Sequence, residues 1–142
     1  MRRSLTSAIL LALTLAAGAC GGDATDLATG DGLAGTLPEV HVYDAWVVQD
    51  GPSTAEVSLR VHNAGAEDDR LLLATCACDA TVTVDGALVV SPEQEVVVRT
   101  GGTPGLRLTG LADRLRPGRF LTLTLTFELA GEVTADAEVR RP

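Results

Sequence analysis

The chain contains no lysine; all eleven of its basic residues are Arg. It holds one Met, two His, three Cys and only four aromatic residues (Tyr43, Trp46, Phe120 and Phe127) in 142 positions. Few side chains are therefore available to donate to a soft metal. The G-x-S-x-G elbow, the phosphate-binding glycine loop and the H-E-x-x-H helix motif are missing, and the two His follow no triad order. On that ground the chain is not expected to be an enzyme. Positive charge is scarce as well. The formal net charge is −8, and removing the two charges of Arg2 and Arg3 takes it to −10. Such acidity argues against nucleic acid and against an anionic membrane face as partners, and suits a soluble protein of the cell envelope.

What the chain has in quantity is alternation. Leu121, Leu123, Leu125, Phe127 and Leu129 alternate with Thr122, Thr124, Thr126 and Glu128. After Ala130-Gly131 the pattern resumes, with Val133, Ala135, Ala137 and Val139 set against Glu132, Thr134, Asp136 and Glu138. A period of two is that of a half-buried strand and does not serve a helix. A loop of Leu129, Ala130 and Gly131 predicts a hairpin that pairs Glu128 with Glu132 and Phe127 with Val133, with Gly131 left-handed. One face of that hairpin is apolar, so the rest of the chain must supply a second layer.

Upstream, strands are predicted over 39–48, 54–63, 70–76, 80–84, 87–90, 93–99 and 106–111. Within 54–63, Ala55, Val57, Leu59 and Val61 point inward. The segment 70–76 reads as largely buried, Asp85-Gly86 as a two-residue hairpin turn, and 111–119 as holding at most a single helical turn. Eight or nine short strands without a convincing helix predict an all-β fold, a two-layer Greek-key β-sandwich.

The N-terminus has a different character. Met1-Arg2-Arg3 is followed by an apolar run, Leu5 to Ala17, too short to span a membrane and ending in A-A-G-A-C at Cys20. Residues 1–19 are expected to be a lipoprotein signal peptide, with Cys20 the lipidated first residue of the mature chain. The alternative is an ordinary signal peptide in which Cys20 is incidental. Residues 20–37, rich in Gly, Asp, Ala and Thr, read as a flexible tether, and 38–142 as the folded domain. The protein is thus expected outside the cytoplasm, lipid-anchored in the cell envelope, and monomeric.

Three stretches together resemble a known family. They are V-Y-D-A-W (42–46), H-N-A-G-A-E-D-D-R-L (62–71) and the alternating run L-T-L-T-L-T-F-E-L-A-G-E-V-T (121–134). In this order and spacing the chain resembles the PCu(A)C copper chaperones of the periplasm and envelope, over about Pro38 to Val139. The resemblance implies a cupredoxin-like β-sandwich that carries Cu(I) and delivers it to an envelope copper protein such as cytochrome oxidase. It also implies a cluster of His and Met ligands, and here the pattern departs. Counted from Arg70-Leu71, the family's first His position falls on Asp85. Counted back from Gly110-Leu111, the later His-x-Met falls on Gly105 and Arg107. The single Met of the chain is Met1.

The remaining donors are His41, His62, Cys76 and Cys78. In C-A-C the two thiols lie on one side of an extended segment and can clamp Cu(I) between two sulfurs. The same two residues, outside the cytoplasm, are natural partners for a disulfide, and inert packing is a third reading. His41 and His62 read as solvated or rim residues on consecutive strands. The Asn63 to Asp69 stretch reads as a solvated loop, and its acidic run lacks the pattern of a calcium loop. A protein-interaction module that binds no metal is the alternative to the copper reading.

Overall fold

In a computed structural model the structure describes residues 39–142. The signal peptide, the lipidation site Cys20 and the tether expected over 20–37 lie outside the described residues.

Nine strands follow one another along the chain. They are β1 (Val40–Gln49), β2 (Thr54–Asn63), β3 (Asp69–Cys76), β4 (Thr81–Asp85), β5 (Val89–Val90), β6 (Glu95–Val98), β7 (Gly105–Thr109), β8 (Phe120–Phe127) and β9 (Gly131–Arg140). Hydrogen bonding runs in the order β4-β7-β2-β1-β9-β8-β3-β5, with β6 beside β2. One long edge of β2 serves two partners, β7 along Thr54 to Val57 and β6 along Leu59 to His62. All pairings are antiparallel except that of β1 with β9, a short parallel ladder of Trp46, Val47 and Val48 against Glu138, Val139 and Arg140. This ladder joins the two layers into one curled sheet.

The core is what alternation demanded. Ala55, Val57, Leu59 and Val61 of β2 are buried, as are Leu123, Leu125 and Phe127 of β8 and Val133, Ala135, Ala137 and Val139 of β9. All but Val139 belong to one cluster with Val40 and Val47 of β1 and Leu106 and Leu108 of β7. The apolar faces of the two layers therefore cover one another.

Four local expectations are corrected. The β8–β9 hairpin has a three-residue loop, but it is Glu128, Leu129 and Ala130, with Phe127 paired to Gly131 and Leu125 to Val133. The register differs from the expected one by two residues, which preserves every facing because the side-chain period is two. Gly131 is left-handed as expected (φ 73°), but Leu129 sits 58% exposed at the loop tip. Second, Asp85-Gly86 does not close a hairpin: β4 pairs with β7, and β5 with the start of β3. The chain crosses there from one layer to the other. Third, β3 is only half buried. A bulge between Leu71 and Leu73 turns Leu72 and Leu73 outward, 59% and 55% exposed, while Leu71 and Ala74 stay inside. Fourth, 111–119 holds turns and no helix.

A buried carboxylate explains the hairpin register. Asp69, read from sequence as part of a solvated loop, is 3% exposed. Its Oδ1 accepts the N–H groups of Arg70 (2.8 Å) and Leu129 (2.9 Å), and its Oδ2 accepts that of Ala130 (2.8 Å). The turn amides thus find their acceptor on β3, some sixty residues earlier in the chain. Asn63 plays the matching part at the end of β2. Its amide nitrogen donates to the carbonyls of Glu67 (2.7 Å) and Val90 (2.8 Å), and its Oδ1 accepts the N–H of Gly65 (2.8 Å). Buried side-chain polar atoms are all satisfied among the described residues, as close packing requires.

Candidate functional site

The three positions to which the resemblance assigns copper ligands converge. Asp85 ends β4, Gly105 opens β7, and the two are direct cross-strand partners. Arg107, two residues along β7, faces Thr83 on one side and Glu56 of β2 on the other. All three positions line one shallow concavity of about 240 Å³, together with Glu56, Arg99 and Gly102.

Its chemistry is that of an ion-pair cluster. The Arg107 guanidinium donates from Nη2 to Asp50 Oδ2 (2.6 Å) and from Nη1 to Glu56 Oε1 (3.2 Å). Its charge answers the two carboxylates that a bound cation would otherwise answer, and it has no lone pair to offer a metal. Gly105 is closed in a different way. A Cβ built there would lie 2.6 Å from the carbonyl oxygen of Gly102. No side chain fits at that position until the 101–104 backbone moves.

Cys76 and Cys78 are joined to each other in a disulfide, with Cα atoms 5.1 Å apart. Both are half-buried against the core, and the Ala77 N–H between them donates to the Thr122 carbonyl at 3.0 Å. In this form neither sulfur is a thiolate. The pair precedes β4, whereas Asp85 ends it, so the length of that strand, about 13 Å of extended chain, separates the two places.

The two His come together, which the sequence left open. His41 of β1 and His62 of β2 are cross-strand partners, their rings 6.5 Å apart between centroids and 17° from parallel. Beside them lies a group that sequence reasoning missed. Glu95 of β6 is the partner of His62 and accepts hydrogen bonds from the Tyr43 hydroxyl and from Arg60 Nη1 (2.7 Å). Arg60 also pairs with Asp44 through Nε at 3.2 Å. The Tyr43 hydroxyl, then Arg60, hold the Glu95 carboxyl below the usual carboxylate range. The same Tyr43–Glu95 hydrogen bond pushes the Tyr43 phenol above its ordinary value. Asp44 stands at a bulge between Tyr43 and Trp46 with φ 49°, and the chain beyond it carries Trp46 onto β9 and under Arg140, whose guanidinium carbon is 5.4 Å from the ring centroid. Among the described residues no three His, Cys, Asp or Glu side chains are gathered to hold a metal ion.

A family model described as "Putative lipoprotein LpqE-like" matches residues 40–139, the whole of the strand-bearing region but one residue. The chain belongs to the LpqE-like family. Solved structures tie that family's fold to PCuAC domains. The copper-bound PCuAC domain of PmoF2 is 26% identical, with 75% of this chain and 96% of that one covered at a TM-score of 0.66. The apo PCuAC domain of PmoF1 is likewise 26% identical, covering 75% and 97% at a TM-score of 0.68. The expected cupredoxin-like PCuAC assignment thus holds for this LpqE-like chain. No curated protein matches it.

Proposed function

We propose that this protein is an exported, lipid-anchored carrier built on the PCuAC scaffold, in which the family's His/Met copper position has been given over to an ion-pair cluster. The observation that carries this reading is Arg107, held between Asp50 and Glu56 at a position where the resemblance calls for a thioether. The copper-bound state of the PmoF2 domain supports copper as the cargo class, and the family resemblance makes it Cu(I). On this chain the pair able to take Cu(I) is Cys76 and Cys78, whose thiolates are soft and close, and only after their disulfide is reduced. Delivery would then run to an envelope copper protein such as cytochrome oxidase. The function is carriage without catalysis.

Anaerobic Cu(I) titration of the full chain against a chelator tests this. Reduced protein is expected to hold one Cu(I), and both the oxidised protein and the Cys76→Ser, Cys78→Ser double variant to hold none. Undiminished binding by the double variant would refute the assignment. A metal-free interaction module is the second reading, favoured by the closed disulfide, and it takes over if the reduced protein binds nothing.

A further inference from the structure

We propose that His41 and His62 form a separate site for one borderline divalent cation, with Cu(II) held most tightly. The register puts the two residues directly opposite each other on antiparallel β1 and β2. Side chains so placed leave the sheet on the same face with Cβ atoms about 4.5–5.5 Å apart. Val40 and Val61, the respective neighbours of His41 and His62, are fully buried, so both imidazoles stand on the outer face. A metal sits about 2.0–2.1 Å from an imidazole nitrogen, so two rings sharing one ion have centroids roughly 4.5–6.5 Å apart, depending on the angle between the bonds. The 6.5 Å observed lies at the open end of that window, so the proposal requires the two rings to swing toward a shared ion.

The two rings stack loosely, 6.5 Å apart and 17° from parallel, and among the described residues neither makes a side-chain hydrogen bond. The cluster beside His62 carries one net negative charge: Glu95 is the cross-strand partner of His62, and Glu95 and Asp44 set two carboxylates against the single guanidinium of Arg60. The Glu95 oxygens are engaged by Tyr43 and Arg60, so the other ligand positions fall to water. Such a site is open, exchangeable and of moderate affinity. Neutral imidazole with oxygen co-ligands suits Cu(II) and Zn(II), and affinity across first-row divalent ions peaks at Cu(II). It does not suit Cu(I) transfer between sulfurs, so this site stands or falls independently of the cysteine pair.

The test is titration of the full chain, disulfide intact, with Cu(II) and separately with Zn(II), together with electron paramagnetic resonance of the Cu(II) form. One equivalent of Cu(II) should bind, with hyperfine structure from two imidazole nitrogens. His41→Asn and His62→Asn should each weaken binding at least tenfold, and the double variant should lose it, while circular dichroism stays that of the parent. Zn(II) should raise the melting temperature of the parent and not of the double variant. Binding of Cu(II) that survives in the double variant overturns the proposal. So does a one-nitrogen spectrum, dependence on only one of the two His, or the absence of a bound equivalent.

Discussion

Asp69 is the residue whose loss should be felt most for its size. Its carboxylate gathers the N–H groups of Arg70, Leu129 and Ala130 at 2.8–2.9 Å while being 3% exposed. A hydrogen bond to a charged group contributes about 1.5–3 kcal/mol net, and an orphaned buried donor costs about 1–3 kcal/mol. The Leu129 and Ala130 amides lie in a turn that water can partly reach, so the three contributions do not sum in full. Asp69→Ala should therefore cost about 3–5 kcal/mol, a large share of the roughly 5–15 kcal/mol of a whole domain. Asp69→Asn retains one acceptor oxygen but turns an NH2 toward a backbone donor, and should cost about 2–3 kcal/mol. Asp68→Ala, one residue away and exposed, should change little. Urea melts give the energies, and amide exchange at Leu129 and Ala130 gives the location: both should exchange much faster in Asp69→Ala. A loss below about 1 kcal/mol, or unchanged exchange at both amides, would refute the idea that a buried acceptor sets this hairpin.

Leu125→Ala, at a fully buried position of β8, should cost about 2–5 kcal/mol, whereas Thr124→Ala on the opposite face should cost far less; equal losses in urea melts would reverse the facing of the strand. Gly105→Ala should destabilise by about 1–3 kcal/mol through overpacking against the Gly102 carbonyl, and an unmoved urea midpoint would show that the 101–104 loop yields freely. Tyr43 is the only Tyr, so its phenolate absorbance reports one group: the midpoint should lie above 10.0 and return toward it in Glu95→Gln. The Glu95 carboxyl is depressed, so its contribution to stability should be present above pH 4.5 and vanish as pH falls through the folded-state value. The parent should accordingly lose stability in acid more steeply than Glu95→Gln, with Tyr43, Arg60 and His62 the charged or titratable groups that act on that carboxylate. Parallel acid limbs would sink that assignment.

How much of this was legible depended on the range of the interactions. Strand positions and facings follow from side-chain alternation, a local property, and Leu123, Leu125 and Phe127 lie in the core where the pattern put them. Pairing is not local. Asp85-Gly86 carries a strong hairpin signal, yet β4 gains five cross-strand partners on β7, and β5 is only two residues long. Asp69 looked like one more charge in an acidic loop, because its three donors come from the backbone and two lie sixty residues away. The convergence of Asp85, Gly105 and Arg107 was visible only as an alignment, and the register of β4 on β7 makes it physical. The meeting of His41 and His62 needed a register that no periodicity specifies.

Apart from His62, the stretches that carried the family resemblance prove to be structural. V-Y-D-A-W contains the Asp44 bulge that re-aims Trp46; H-N-A-G-A-E-D-D-R-L contains the two buried clamps Asn63 and Asp69; the alternating run is the hairpin that Asp69 fastens. None of these residues stands at a position the resemblance assigns to copper. The side chains that build the scaffold and those at the assigned copper positions are therefore different, and a chain can keep the first while changing the second. Arg107 sharpens the point. Its ion pairs with Asp50 and Glu56 are partly exposed at the surface, and pairs of that kind are worth about 0–1 kcal/mol each. A residue that adds so little stability is free to change without endangering the fold, so Arg107→Met should fold as well as the parent in a urea melt. Because Gly105 still admits no side chain, that variant alone should gain no Cu(I) affinity. Measurable Cu(I) binding by Arg107→Met in oxidised protein would show that the guanidinium charge, and not the closed backbone, is what keeps the metal out.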